Sequence, residues 1–426
     1  MSIKSRLPAL QSSDYRLWFV GQGVSVVGTW LQNTGQAWLV LKLTNSPLLL
    51  GVISSVQYLP SLLLSVFIGP MIDLFPKRTI LLWTQSLFAL AAAILAAVAF
   101  SGHAQYWQVL VISAFTGIVT AVDWPARQSF VSEQVHDRDT VVNAVALNSL
   151  IFNIARVIGP TIGGLTIAAV GIPWTFALNA ASFLAVIWSL ALMKAGRMPN
   201  KANAGDYFND IKEGINYIKG NKAIGSLLAL IGVINLFLLN FNVLIPSFAK
   251  LTLGLKADGY GGLMSAMGVG AMTAGLLMSL SGKRFEPSPR LLLGAGFILS
   301  VSMLLAGLQH NILLTALLLM FCGFGMSAFA TMCNTSVQMQ STDEMRGRVM
   351  SAYNLIFVGS TPFGSLYIGQ VSDAFGSGMG FLLSGTIGVA FLAAMRIFVT
   401  PKTFKGIRSF TRGPDLDKNP LGAEKP

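Results

Sequence analysis

Ile80-Leu-Leu-Trp-Thr-Gln-Ser-Leu-Phe-Ala-Leu-Ala-Ala-Ala-Ile-Leu-Ala-Ala-Val-Ala-Phe100 runs without a charged side chain directly after the basic pair Lys77-Arg78. An apolar helix of about 20 residues crosses the roughly 30 Å hydrocarbon core of a bilayer. The stretch therefore predicts a membrane span with its basic end at the headgroups. Residues 312–332 read the same way. The composition agrees: 426 residues are 53% hydrophobic and 11% charged, where a soluble protein carries about 25% charged residues. A water-soluble class is excluded. The only cysteines, Cys322 and Cys333, fall in one predicted helix three turns apart, too far along its axis to bridge each other. A disulfide scaffold and redox chemistry are therefore not expected.

Reading apolar segments against breakers along the rest of the chain places spans at 17–40, 48–74, 79–101, 106–124, 143–170, 173–193, 224–250, 259–281, 290–308, 311–334, 348–374 and 378–399. The expected fold is an all-α membrane protein of twelve transmembrane helices in two pseudo-symmetric six-helix bundles. No cleavable signal is read ahead of the first span, since Lys4 and Arg6 lead into a segment carrying Gln22, Gln32, Asn33 and Gln36.

The net charge of +12 raises the question of nucleic acid or anionic lipid. Its distribution answers it. The basic residues crowd the loops on the side of the termini, from Lys77 and Arg78 through Arg127, Arg138, 194–222, Lys283, Arg284, Arg346 and Arg348 to the tail. Only Lys42, Lys250 and Lys256 fall on the opposite side, and Arg156 lies inside a span. By the positive-inside rule both termini are cytoplasmic, in a multi-pass protein of the bacterial plasma (inner) membrane. The charge is a topology signal, and no nucleic-acid partner is expected.

Internal repetition supports a division into halves. Gly69, Asp73, Lys77 and Arg78 after span two are matched by Gly275, Ser279, Lys283 and Arg284 after span eight, all displaced by the interval that carries 69 to 275. The expected domains are an N-terminal bundle (1–194), a linker with a short amphipathic helix on the membrane surface (195–222), a C-terminal bundle (223–400) and a disordered tail (401–426). Phe208, Ile211, Ile215 and Ile218 supply the helical spacing of the linker. The tail carries Pro401, Pro414 and Pro420 and little apolar content.

These residues resemble the major facilitator superfamily of secondary transporters over the chain up to about Thr400. Gly69-Pro-Met-Ile-Asp73-Leu-Phe-Pro76-Lys77-Arg78 resembles its G-x-x-x-D-[RK]-x-G-[RK]-[RK] loop, with Leu74 in place of a basic residue and Pro76 in place of glycine. Gly159-Pro160-Thr161-Ile162-Gly163-Gly164 in span five resembles the G-P-x-x-G-G core associated with proton-coupled antiporters. Gly28-Thr29-Trp30-Leu31-Gln32, Thr44-Asn45-Ser46-Pro47, Asp123-Trp-Pro-Ala-Arg127-Gln128 and Arg346-Gly-Arg348-Val-Met-Ser351 resemble the branch of enterobactin exporters and macrolide efflux pumps. The resemblance implies export by a drug:proton antiporter. It also implies a gating role for Gly69, Asp73, Lys77 and Arg78, with Asp73 latching the halves through Arg127 or Arg138 and the start of span eleven near Val349. Gly159, Pro160, Gly163 and Gly164 read as a bend point between the halves, since proline removes a helical hydrogen bond and glycine permits close packing.

Polar stripes locate a site independently. At 100° per residue Gln22, Ser25, Thr29, Gln32, Asn33 and Gln36 share one face of span one. Ser113, Thr116, Gly117, Thr120, Asp123 and Arg127 share a face of span four, and Gly323, Ser327, Thr331, Asn334 and Gln338 one of span ten. Span seven adds Asn235 and Asn242. Such faces either meet around a hydrated central cavity or join helices by interhelical hydrogen bonds. The cavity reading makes Gln32, Asn33, Gln36, Arg156, Asn235, Asn242, Thr331 and Asn334 the candidate substrate-binding residues.

Ionisable groups inside a membrane are costly and mark function. Arg156, near the middle of span five, either attracts an anionic or hydrogen-bond-accepting substrate or is neutralised structurally by amides such as Asn148. Asp123 with Arg127 is the candidate proton-coupling pair, and the competing reading is a fixed i, i+4 ion pair. No phosphate-binding loop G-x-x-x-x-G-K-[ST] is present, so ATP is not the direct energy source. His103, His136 and His310 fall in separate loops, and no nucleophile has a candidate base. Neither a metal site, a cofactor nor enzyme chemistry is expected. The reading is a monomeric secondary transporter in the lipid bilayer, exchanging protons for an amphipathic small-molecule substrate (siderophore or drug) by alternating access. An uptake carrier of the same fold and a non-transporting membrane sensor stand as the alternatives.

Overall fold

A computed structural model of the protein describes residues 8–134, 138–193, 207–281 and 287–398. The expected disordered tail (401–426), His136, Lys283 and Arg284 and the first part of the linker lie outside them. So do the side chains of Gly69 and Asp73, although both residues sit in a described helix.

After a 3₁₀ turn at Pro8–Gln11, the first half contains α1 (Ser13–Thr44), α2 (Pro47–Asp73), α3 (Lys77–Phe100), α4 (Tyr106–Glu133), α5 (Arg138–Val170) and α6 (Ile172–Leu192). A short helix, α7 (Tyr207–Gly220), leads into α8 (Lys222–Leu238) and α9 (Phe241–Ser247), the latter continued by a π-helical turn at Phe248–Thr252. Then follow α10 (Ala257–Ser281), α11 (Pro289–Gly307), α12 (Ile312–Gln340), α13 (Arg346–Phe375) and α14 (Ser377–Phe398). No strand occurs among the described residues.

Among the described residues ten segments are long and apolar enough to cross a membrane, α8 and α9 counting as one of them. The 32-residue α1 and 30-residue α13 are equally long but more polar, and the twelve-span reading rests on these two. Both pack among the apolar helices, α1 against α5 and α6 and α13 against α2 and α8. Helix ends follow local chemistry. Ser46 caps α2 by accepting from the Leu49 amide with Pro47 in the first turn, and Asn221 and Asn311 cap α8 and α12.

Small residues set the packing. Gly21, Gly28 and Gly35 repeat every seventh residue along α1 and face Ser189, Ser182 and Thr175, which repeat at the same interval on α6. A Cβ on Gly28 would lie 2.2 Å from Ser182 Oγ, so the close approach depends on the missing side chain.

Two seams join the halves, α2 on α13 and α5 on α10. In the first, a Cβ on Gly51 would lie 2.4 Å from the Ser365 carbonyl, and one on Gly369 would lie 2.9 Å from the Pro47 carbonyl. In the second, a Cβ on Gly164 would lie 2.5 Å from the Ala257 carbonyl and one on Gly261 would lie 2.4 Å from the Pro160 carbonyl. The interval that relates 69 to 275 also carries Gly51 to Ala257 and Gly163 to Gly369, so the seams occupy repeat-related positions.

The segment expected to be one straight span seven is broken. Between α8 and α9 the backbone leaves the helix at Leu239 and Asn240, and the Asn240 amide donates to the freed carbonyls of Asn235 and Leu236. Discontinuous helices of this kind survive in a membrane only where protein or water satisfies the exposed backbone. The amphipathic helix α7 docks on the second half: Arg348 Nη1 pairs with Glu213 at 2.5 Å, and Tyr217 accepts from the Thr342 amide at 3.3 Å.

Candidate functional site

A cleft lies between the halves, lined by Trp30, Asn33, Thr34, Gln36 and Ala37 of α1, Leu50, Ile53, Ser54, Gln57 and Tyr58 of α2, Asn242 of α9, and Tyr260 and Met264 of α10. Its wall mixes aromatic rings with amides, the composition expected for an amphipathic ligand.

On the face opposite the termini the cleft is closed at one corner, Thr44-Asn45-Ser46-Pro47. Asn45 adopts the left-handed conformation that asparagine tolerates (φ 50°) and ends α1, and Ser46 begins α2, so the chain reverses within two residues. Both ends of this corner receive a charge from the other half. Lys250 Nζ donates to the Leu41 carbonyl at 2.5 Å and to Asn45 Oδ1 at 2.7 Å, a cation on a helix C-terminus. Asp373 Oδ1 accepts from Ser46 Oγ at 2.6 Å and from the Leu48 amide at 3.4 Å, an anion on a helix N-terminus. Further hydrogen bonds between the halves tie Ser265 to Val157 and Thr161, at 2.5 Å each. Asn33 and Asn242 are nevertheless exposed.

The Gly-Pro-x-x-Gly-Gly segment does not interrupt α5, which continues through Pro160. Its glycines are bearing surfaces. Gly159 receives the Cβ of Trp30, Gly163 receives Thr34, and Gly164 receives the backbone of α10. Two cleft-lining residues of α1 are seated by this one stretch. It also brings Trp30 against Arg156, whose guanidinium lies 5.8 Å from the indole centroid. Arg156 is half-buried and within electrostatic reach of Tyr58. Among the described residues it makes no hydrogen bond or ion pair, Asn148 included. A cation–π contact of this kind contributes about 0.5–2 kcal/mol.

The other expected substrate residues fall in different places. Asn33, Gln36 and Asn242 line the cleft, with Gln36 donating to Ser113 Oγ of α4 at 3.2 Å. Gln32 accepts from Asn179 of α6 at 2.7 Å. Asn235 is buried away from the cleft and donates to the Phe357 carbonyl and, at 2.7 Å, to Ser360 Oγ, joining α8 to α13. Thr331 is exposed, and Asn334 accepts from Gln338 at 2.6 Å; neither lines the cleft. Gly323 packs on the Met267 carbonyl of α10.

Asp123, 4% exposed, is held within the first half. One oxygen accepts from Thr84 Oγ1 at 2.6 Å and Gln85 Nε2 at 2.7 Å, and the other from Arg127 at 2.5 and 3.0 Å. Arg127 also lies 6.0 Å over the Trp18 ring. At the terminal end of α2, Lys77 Nζ donates to the Ile72 carbonyl at 2.7 Å, and Arg78 donates to the Leu190 and Ala191 carbonyls at the end of α6, at 2.6 and 3.0 Å.

Sequence reasoning missed Trp30, Tyr260 and the whole contribution of α2. Its signal was present: Ser54, Gln57, Tyr58 and Ser61 recur at i, i+3, i+4 and i+7 within an otherwise apolar segment.

The family model described as transmembrane secretion effector matches residues 4–411. The chain is 28% identical to the staphyloferrin A transporter of Staphylococcus aureus, over 84% of this chain and 89% of that protein. It is 21% identical to macrolide efflux protein A of Streptococcus pyogenes (88% and 92%) and 25% identical to the multidrug efflux pump Tap of Mycobacterium tuberculosis (85% and 86%). In solved structures the same fold occurs in the nucleoside transporter NupG, with TM-score 0.72 at 12% identity over 90% of this chain and 98% of that one. It occurs again in a D-xylose–proton symporter, with TM-score 0.70 at 15% identity over the same shares.

Proposed function

Because the chain belongs to the transmembrane secretion effector family, within the major facilitator transporters, we propose that it is a proton-coupled exporter. It carries an amphipathic small molecule, siderophore-like or drug-like, across the bacterial plasma (inner) membrane by alternating access. The observation that carries this reading is the central cleft, exposed at Asn33 and Asn242 while Lys250 and Asp373 tie the halves together at the Thr44–Pro47 corner. A binding module needs no such one-sided closure. A carrier that exposes its site to one compartment at a time does.

With both termini cytoplasmic, as the basic loops favour, this is the inward-facing state. The bundles 1–194 and 223–400 are the moving bodies, 195–222 links them, and one copy of the chain suffices. Asn33, Gln36, Asn242 and Arg156 are the substrate contacts; Gln32, Asn235, Thr331 and Asn334 have secondary roles. Gly69, Asp73, Lys77 and Arg78 gate the cytoplasmic face in the opposite state, while Gly159, Pro160, Gly163 and Gly164 are the bearing about which α1 and α10 shift. Asp123 with Arg127 is the proton-coupling pair, joined to α3 through Thr84 and Gln85.

The experiment is flux into proteoliposomes under an imposed pH gradient, with siderophore, macrolide and dye substrates. Gradient-driven accumulation of at least one is expected, and its absence for all of them contradicts the reading.

A further inference from the structure

We infer that the cleft selects an anionic substrate, one bearing a carboxylate or similar oxyanion beside a flat apolar body, and that Arg156 with Trp30 and Tyr58 is the subsite that reads the charge. The inference rests on the transporter reading above and specifies its substrate class.

Arg156 sits in the middle of the 33-residue α5, far from either headgroup layer. It makes no hydrogen bond or ion pair among the described residues. The nearest buried carboxylate on the first half, Asp123, already accepts from Arg127, Thr84 and Gln85. The described part of α2 carries no other acid ahead of Asp73, and α8, α9 and α12 carry none at all. Asp258 lies in the first turn of α10, at the outer end of its seam.

A permanent cation in this position keeps five N–H donors in a planar fork without an acceptor. The guanidinium carbon lies over the Trp30 ring, 5.8 Å from its centroid, and Gly159 is what lets Trp30 come that close to α5. With no hydrogen bond or ion pair among the described residues, the fork has the geometry to take a bidentate oxyanion. Tyr58 lines the cleft together with Trp30, and its hydroxyl is a further donor. The rings of Trp30 and Tyr58 supply the wall for the apolar body. A cationic amphiphile of the same shape meets Arg156 with nothing to offset the repulsion.

The test uses three probes with one aromatic body: pyrenebutyrate, pyrenebutanol and pyrenebutylamine. Binding to the full chain in nanodiscs is measured by tryptophan-to-pyrene energy transfer, with empty nanodiscs subtracted. The native protein is expected to prefer pyrenebutyrate over pyrenebutanol at least tenfold and to bind pyrenebutylamine most weakly. Arg156→Gln is expected to bring the ratio of anion to alcohol to about one, and Arg156→Lys to keep part of it. Tyr58→Phe is expected to weaken the anion several-fold and leave the alcohol unchanged. Melting temperature and elution volume show whether each variant is folded, and Arg156→Lys serves if Arg156→Gln is not. Equal binding of the three probes by the native protein, no binding of the anion, or a preference that survives in Arg156→Gln overturns the inference. Flux of pyrenebutanol is followed in parallel: a chain that carries the alcohol without preferring the anion remains a transporter with this inference refuted.

Discussion

Asp373 Oδ1 accepts from Ser46 Oγ at 2.6 Å, across the boundary between the halves and at the N-terminus of α2. Lys250 reaches the same corner from α9 and its π-helical continuation, at the C-terminus of α1. One reversal of the chain thus holds a donor and an acceptor of charge at the two helix ends where each is electrostatically favoured.

Asp373→Ala and Lys250→Ala each remove about 1 kcal/mol from the closed corner, the scale of a partly exposed charge-assisted hydrogen bond. That is roughly a fivefold shift toward the outward-open state. Spin labels at residues 48 and 366, on α2 and α13, measure it as a growing long-distance population.

The glycine seams give a larger effect. Gly261→Val puts a branched side chain where a Cβ alone would lie 2.4 Å from the Pro160 carbonyl. Backbone cannot yield as a flexible side chain does, so overpacking costs about 1–3 kcal/mol and falls on the closed state alone. Protein yield is expected to hold while transport falls at least tenfold, with the outer face labelled by impermeant reagents.

Gly28→Ala tests packing within one half. Its methyl would lie 2.2 Å from Ser182 Oγ, and a drop in melting temperature is expected. The double variant Gly28→Ala with Ser182→Gly restores most of it, because the seventh-residue register then offers space in place of the hydroxyl.

Asp123→Asn keeps an acceptor for Thr84 or Gln85 but strands Arg127. Breaking a buried pair by removing one partner costs about 3–5 kcal/mol, so the single variant is expected to lose stability. Asp123→Asn with Arg127→Gln recovers stability yet stays uncoupled: substrate equilibrates without following a pH gradient. Full dependence on the gradient in the double variant removes Asp123 from the proton path.

The fold was legible because its signals are local. Apolar length, basic loop ends and the interval from 69 to 275 each follow from a few residues read in order. The site was legible only in part. Asn235 and Asn242 are seven apart and share a face of any continuous helix, yet Leu239 and Asn240 leave the helix between them and turn the two asparagines to different neighbours. No glycine or proline marks that break, which the Asn240 amide sustains through contacts five and four residues back. Periodicity shows that Gln32 is polar on a face; whether that face meets water or Asn179 depends on α6, well over a hundred residues away in the chain. Gly159 and Gly163 could be read as close-packing positions, but that their neighbours are Trp30 and Thr34 is decided in three dimensions.

In the proposed mechanism the cleft between the halves opens to one face at a time. This is tested most directly by cysteine at Asn33, Asn242 and Asn235 in turn, with Cys322 and Cys333 replaced by serine, and impermeant maleimide applied to oriented vesicles from either side. Positions 33 and 242 are expected to react from the cytoplasmic face in the native background, and from the outer face once Gly261→Val is added, while position 235 stays unlabelled in both. Failure of 33 and 242 to react from either side, or reaction from both sides at once, contradicts the account.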